Sequence, residues 1–195
     1  MKLRFAFAFL AASVATAPAA VIQFNLLGTG GPGLLFSNEP GITSGGTGGE
    51  MLGGITFDNV SKLLTINVGW GTGNGFATNL TGASTNAHIH GPTTTANGNN
   101  FTEIAGTMIN LQVSPAPGFN INTSASAGTI TGTGTNPLTP AQETALMEGR
   151  TYLNVHTAVN TGGEIRGFLV PIPEPATAVV GMAALGALVL RRRRA

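Results

Sequence analysis

Cysteine is absent from the 195 residues. This excludes disulfide staples and thiolate metal sites and leaves stability to a packed core. Charge is scarce too: Lys, Arg, Asp and Glu supply 9% of the chain, and most of the basic share sits at the ends as Lys2, Arg4 and Arg191 to Arg194. Between Val21 and Val170, Lys62, Arg150 and Arg166 stand against Glu39, Glu50, Asp58, Glu103, Glu143, Glu148 and Glu164, a balance of −4. No basic stripe is left to follow a phosphate backbone, so nucleic acid is excluded as a partner. One Trp and one Tyr accompany 29 glycines in a chain rich in Thr and Asn. Such residues disfavour helix interiors and supply turns, which excludes long helices from the middle of the chain.

Long apolar runs are confined to the two ends. Met1 to Ala20 opens with Lys2 and Arg4, continues through Phe5 to Leu10 and closes on Ala17-Pro18-Ala19. That is the pattern of a secretory signal peptide cut by signal peptidase after Ala19 or Ala20. A buried N-terminal helix is the other reading, and it leaves the charged start and small-residue finish unexplained. At the far end Pro173-Glu174-Pro175 precedes the apolar run Ala176 to Leu190 and then Arg191, Arg192, Arg193 and Arg194. At about 1.5 Å per residue that run spans about 22 Å, short of the ~30 Å hydrocarbon core, which suits a transient transmembrane anchor. The arginines belong on the cytoplasmic side, placing the preceding domain beyond the inner membrane. The ordered trio resembles the PEP-CTERM sorting signal. That resemblance implies processing near the motif by an exosortase, a membrane cysteine transpeptidase, in a Gram-negative host that makes extracellular polysaccharide. A plain membrane anchor is the alternative. The chain thus divides into a signal peptide (1–20), a β domain (21–170) and a sorting tail (171–195).

Within the domain, strand-like runs recur between glycine-rich turns: Val21 to Leu27, Gly54 to Phe57, Leu63 to Val68, Asn86 to His90, Gly106 to Val113, Thr151 to Thr157 and Glu164 to Val170. Such spacing predicts an all-β antiparallel sandwich or barrel. Gly28 to Gly49 reads as a long loop with room for one short strand, and Ser114 to Pro137 as an irregular stretch with at most a weak edge strand. Gly45 to Gly49 reads as turns, lacking the lysine and helix of a phosphate loop. One short helix is predicted over Pro140 to Glu148, with Thr139 as N-cap, Pro140 at the first position, Gln142 closing a capping box and Gly149 as terminator. Ala141, Ala145 and Leu146 form its expected packing face. Trp70, between Gly69 and Gly71, reads either as a sugar-stacking surface ring or as a core cap.

The three histidines fall in two short segments, Ala87-His88-Ile89-His90-Gly91-Pro92 and Tyr152-Leu153-Asn154-Val155-His156-Thr157. Residues two apart on a strand share a face, so His88 and His90 form a two-nitrogen edge, while Tyr152, Asn154 and His156 lie opposite Leu153 and Val155. After a turn, Glu164-Ile165-Arg166-Gly167-Phe168 resumes alternation. A hairpin pairing His156 with Glu164, Asn154 with Arg166 and Tyr152 with Phe168 follows. Two uses of this patch are open. His88, His90 and His156, with Glu164 as fourth ligand or outer partner, suit a transition metal, copper first by affinity order. Alternatively the histidines join Asn154, Tyr152, Glu164 and Arg166 in a hydrogen-bonded network that locks the hairpin.

The same blocks, Ala-His-Ile-His-Gly-Pro, Leu-Thr-Pro-Ala-Gln, Tyr-Leu-Asn-Val-His-Thr and Gly-Gly-Glu-Ile-Arg-Gly, resemble in that order the CHRD (chordin-type) domain, over Gly49 to Leu169 and the first strand from Val21. Two departures are visible: Ala158 to Thr161 lacks the proline often found before Gly-Gly-Glu, and Phe168 replaces the usual polar residue. The resemblance implies an immunoglobulin-like or barrel-like β fold and extracellular binding, and it transfers no catalytic activity. In chemistry alone the histidine set is similar to the copper sites of small β-barrels such as Cu/Zn superoxide dismutase. The expectation is therefore an exported, non-catalytic protein of the cell surface or extracellular matrix, with exopolysaccharide or surface proteins as partners. A three-histidine copper-binding protein is the alternative, and a superoxide dismutase-like enzyme the second alternative.

Overall fold

The computed structural model describes residues 20–112, 118–121 and 125–173. The signal peptide through Ala19, and Glu174, Pro175 and Arg191 to Arg194 of the sorting tail, lie outside the described residues; Pro173 is the last described residue, outside any strand. Among the described residues no helix is long and apolar enough to cross a membrane.

The domain is all-β. In chain order its strands are β1 (Val21–Leu27), β2 (Leu34–Leu35), β3 (Thr47–Asp58), β4 (Leu63–Trp70), β5 (Ser84–His90), β6 (Thr107–Asn110), β7 (Phe119–Ile121), β8 (Gly128–Thr133), β9 (Tyr152–Thr157) and β10 (Ile165–Pro171). Every pairing is antiparallel, in the order β6-β5-β9-β10-β1-β3-β4-β8-β7, with β2 bridging β10 and β3. Alternation decides which face turns inward. Ile89 of β5, Leu153 and Val155 of β9, Leu169 of β10, Phe57 of β3, Ile66 of β4 and Ile130 of β8 join one apolar cluster. Residues from both flanks of the sheet share that core, so the sheet is rolled on itself. Its end strands meet across a groove of about 250 Å³ lined by Met108, Ile109, Phe119 and Leu138.

Three readings of the sequence need correction. Thr47 to Gly49 belong to β3 rather than to a turn, because a side chain on Gly48 would come within 2.4 Å of the Gly69 carbonyl and 2.9 Å of Trp70. Only glycine permits so close an approach of two strands. Trp70 is fully buried, which removes it as a sugar-stacking surface ring. β8 is no weak edge: it lies between β7 and β4, and its Thr and Gly residues hid a strand whose pairing with β4 joins residues far apart in the chain.

The helix runs Pro140–Met147 with both capping-box bonds made. Thr139 accepts from the Gln142 amide at 3.3 Å and donates its own amide to Gln142 at 2.9 Å. Ala145 and Leu146 are buried as expected, whereas Ala141 is exposed. Gln142 also donates to the Met108 carbonyl at 3.3 Å, tying the helix to the end strand β6.

Candidate metal centre

Because Leu153 and Val155 point into the core, Tyr152, Asn154 and His156 face outward on β9, and Arg166 and Phe168 do so on β10. Two of the three predicted hairpin pairs are observed, Asn154 with Arg166 and Tyr152 with Phe168; the third is not, because the Glu164 amide bonds the Val155 carbonyl instead of Glu164 facing His156. On the other side of β9, His88 pairs with Asn154 and His90 with Tyr152, while Asn86 opposes His156. His156 is therefore the diagonal neighbour of His88, within reach across a sheet. This outer face is not left to solvent: all six residues of β9 are buried, because loops cover it.

The imidazoles converge. His88 Nδ1 lies 3.0 Å from His156 Nε2, and one ligand nitrogen from each of the three rings falls within 4.8 Å of the others. His156 Nδ1 donates to the Thr161 carbonyl at 2.9 Å, and His90 Nδ1 donates to the Ala105 carbonyl at 2.9 Å. A ring whose Nδ1 hydrogen is spent on a carbonyl keeps its lone pair on Nε2, which is the outer-partner arrangement of metal-bound histidine. His90 Nε2 is buried and has no hydrogen-bond partner. In the metal-free arrangement His88 donates its Nδ1 hydrogen to His156 Nε2. His88, which is partly exposed, can move that hydrogen to its other nitrogen and free Nδ1.

Electrostatics keep the rings neutral. Burial, reinforced by the neighbouring His156 and His90, pulls His88 down to about 4. Burial also lowers His90 and His156, against the opposing pull of their carbonyl partners Ala105 and Thr161. Three unprotonated imidazoles at neutral pH are three available lone pairs. Nitrogens that share a metal at about 2.0–2.1 Å can be at most about 4 Å apart, so the widest pair needs to close by just under 1 Å.

The Glu164 carboxylate does not join the three imidazoles. Glu164 lies in the bend before β10, fully buried, and its carboxylate accepts from the amides of Gly46 (3.1 Å) and Thr81 (2.7 Å), the hydroxyls of Thr81 (2.5 Å) and Thr157 (2.8 Å), and Asn160 Nδ2 (3.1 Å). No imidazole is among these partners. Burial alone would raise its pKa, yet the bonds from Thr81, Asn160 and Thr157 hold it below the ordinary carboxylate range. Its role is to staple three loops. Glu164→Gln replaces one acceptor oxygen by an amino group facing donors, and is expected to cost about 2–3 kcal/mol in urea denaturation. Unchanged stability would remove the staple.

Arg166, 1% exposed, spends its fork on carbonyls: Nε to Asn38 (2.7 Å), Nη1 to Glu103 (3.1 Å) and Nη2 to Phe101 (2.7 Å). Its guanidinium lies 4.8 Å from the Tyr152 ring centre, and His90 stacks on Tyr152 at 5.0 Å and 11°. Asn154 donates to the Gly162 carbonyl at 3.3 Å, while its Oδ1 is buried and unpartnered.

Sequence reasoning missed Asn38 and Glu39. Asn38 Nδ2 donates to the carbonyls of Gly31, Gly33 and Arg166, fastening the 28–39 loop over β10. Glu39, 9% exposed, sits 3.8 Å from Arg166 Nε with its Oε2 otherwise unpartnered. Burial raises it to about 7, against the attraction of Arg166 and a bond to Asn154. The available signal was scarcity: in so weakly charged a domain, an acid inside a glycine-rich loop is a marker.

Fold and site together define a small, disulfide-free β domain whose polar chemistry is gathered beneath loops on one face of its sheet. The chain belongs to the CHRD domain family, matched over residues 37–169, a span that holds all three histidines. The match begins at residue 37 rather than 49, and so takes in Asn38 and Glu39. Family membership is consistent with an extracellular or secreted, non-catalytic protein. Neither the curated proteins nor the solved structures contain a significant match to the chain.

Proposed function

We propose that this protein is an exported CHRD domain that binds one copper ion through His88, His90 and His156, acting as a binding protein rather than an enzyme. The observation that carries this reading is the pair of rings turned by backbone carbonyls so that their Nε2 lone pairs face the same small space, with His90 Nε2 buried and unpartnered. Copper is favoured by the all-imidazole donor set and by its place in the affinity order. Zinc would need a solvent molecule as its fourth ligand, since Glu164 is engaged elsewhere, and it follows copper in the affinity order.

The address is read from the two ends. The charged start and small-residue finish of Met1 to Ala20 support export and cleavage by signal peptidase. The Pro173-Glu174-Pro175 motif, apolar run and Arg191 to Arg194 support transient anchoring in the inner membrane and processing by an exosortase-type transpeptidase. The destination is then the cell surface or the extracellular matrix, beside exopolysaccharide and other surface proteins.

Titrating the intact chain, purified without a histidine tag, is expected to give one copper per chain and weaker zinc uptake. Absence of stoichiometric copper uptake would remove the reading. A superoxide assay of the copper-loaded chain addresses the dismutase alternative: a rate no better than free copper keeps the protein among binders.

A further inference from the structure

We propose that Arg166 is the positioning residue of the three-histidine site, holding in place the 97–105 loop whose last carbonyl orients His90. The inference deepens the copper reading and rests on it for its functional meaning.

The loop has an unusual backbone. Asn97, Gly98, Asn99, Asn100 and Phe101 carry φ values of 53°, 52°, 48°, 60° and 67°, a continuous left-handed turn. The amide of Phe101 donates to the Asn97 carbonyl (2.5 Å), and those of Thr102 and Glu103 donate to the Gly98 carbonyl (2.9 Å each). Left-handed geometry costs about 1–2 kcal/mol for an ordinary L-residue, less for Asn and nothing extra for Gly. The composition Asn-Gly-Asn-Asn softens the cost, and Phe101 bears it in full. Such a turn persists only where its surroundings over-determine it.

Arg166 supplies that determination. Its Nη2 and Nη1 bind the carbonyls of Phe101 and Glu103, the residues at and just beyond the end of the turn. Phe168, two residues on, is the seat: the Phe101 ring packs 5.5 Å from it, and a side chain on Gly98 would come within 2.3 Å of the Phe168 ring. Two residues past Glu103, the Ala105 carbonyl receives both His90 Nδ1 (2.9 Å) and the Tyr152 hydroxyl (3.2 Å). A second path from the same guanidinium runs through the Tyr152 ring to the stacked His90 ring. Both paths end on His90. The orientation of His156 depends instead on the Thr161 carbonyl, in a different loop. Lysine cannot replace this arrangement, because one ammonium lacks the planar fork that serves three carbonyls in fixed directions.

The test uses the intact chain labelled with ¹⁵N-histidine, reading ring tautomers by NMR without metal and copper affinity by competition. In the wild type, His90 and His156 are both expected as the Nδ1–H tautomer. Arg166→Lys is expected to mix the His90 tautomers and weaken copper binding by about 10–100-fold, while His156 keeps its wild-type signal. Asn100→Val alters an exposed loop residue and strains the left-handed turn through its β-branched side chain, so it is expected to act in the same direction; Asn100→Gly, free to adopt positive φ, is expected to match the wild type. Should Arg166→Lys not fold, the Asn100 pair decides. A folded Arg166→Lys or Asn100→Val chain with wild-type His90 tautomer and copper affinity overturns the proposal, and so does an equal change at His90 and His156. If the wild type takes up no copper, the metal reading fails by itself, and the tautomer comparison still decides whether Arg166 orients His90.

Discussion

His156→Ala is expected to abolish stoichiometric copper uptake, with affinity falling by more than about 100-fold, or about 3 kcal/mol. Of the three rings His156 is the least exposed, it touches His88 directly, and its Nδ1 hydrogen is committed to Thr161. Removing it leaves two imidazoles on one strand and discards a lone pair already aimed at the site. His90→Ala is expected to be equally severe, because its Nε2 is likewise pre-oriented. His88→Ala should be milder: this ring is partly exposed and must give up its bond to His156 before it can bind. Isothermal titration or competition with a chromogenic chelator ranks the three. Wild-type affinity in all three variants would take the cluster out of consideration, and a ranking with His88 most severe would contradict the assigned roles of the nitrogens.

Glu39→Gln is expected to stabilise the protein at pH 8 by about 2–3 kcal/mol and to leave it unchanged near pH 4.5. The sign follows from linkage. In the fold Glu39 titrates at about 7, against an ordinary value of 4.5. Below 4.5 the group is protonated in both states and costs nothing. Between 4.5 and 7 the unfolded chain releases the proton while the fold retains it, so stability falls as pH rises, and above 7 the whole cost is present. A gap of that width at 1.36 kcal/mol per pH unit gives about 3 kcal/mol, a figure already net of the attraction to Arg166. The depressed histidines act with the opposite sign between 6.5 and lower pH, and they cancel in the difference between variant and wild type. Urea denaturation at pH 4.5 and pH 8 measures the effect. Equal stability of the two chains at pH 8, or a more stable wild type there, would refute the assignment of Glu39 as a buried acid under strain.

The legible part of the site was that governed by local period. His88 and His90 share a face because strands alternate, and the same rule set Tyr152, Asn154 and His156 against the core residues Leu153 and Val155. The hairpin register could be guessed from a turn between two alternating runs, and the observed pairs Asn154 with Arg166 and Tyr152 with Phe168 follow it. Glu164 shows where that logic ends. Alternation predicts it beside His156, yet it lies in the bend before β10 and its carboxylate meets Thr81, Thr157, Asn160 and Gly46, since a buried carboxylate goes where the donors are.

By itself the sequence determined the strand-rich character, the capped helix at Pro140, the clustering of three histidines in two alternating segments and the family blocks around them, all set by short-range pattern. Only the tertiary structure decided that β8 enters the sheet, that Asn38, Glu39 and the left-handed 97–101 turn close over the outer face, and that Arg166 ties that turn to His90. Alternation along a strand is a property of neighbouring bonds. Which loop covers a face depends on contacts between residues more than sixty positions apart, such as Arg166 with Phe101 and Glu103, and these exist only once the sheet has rolled.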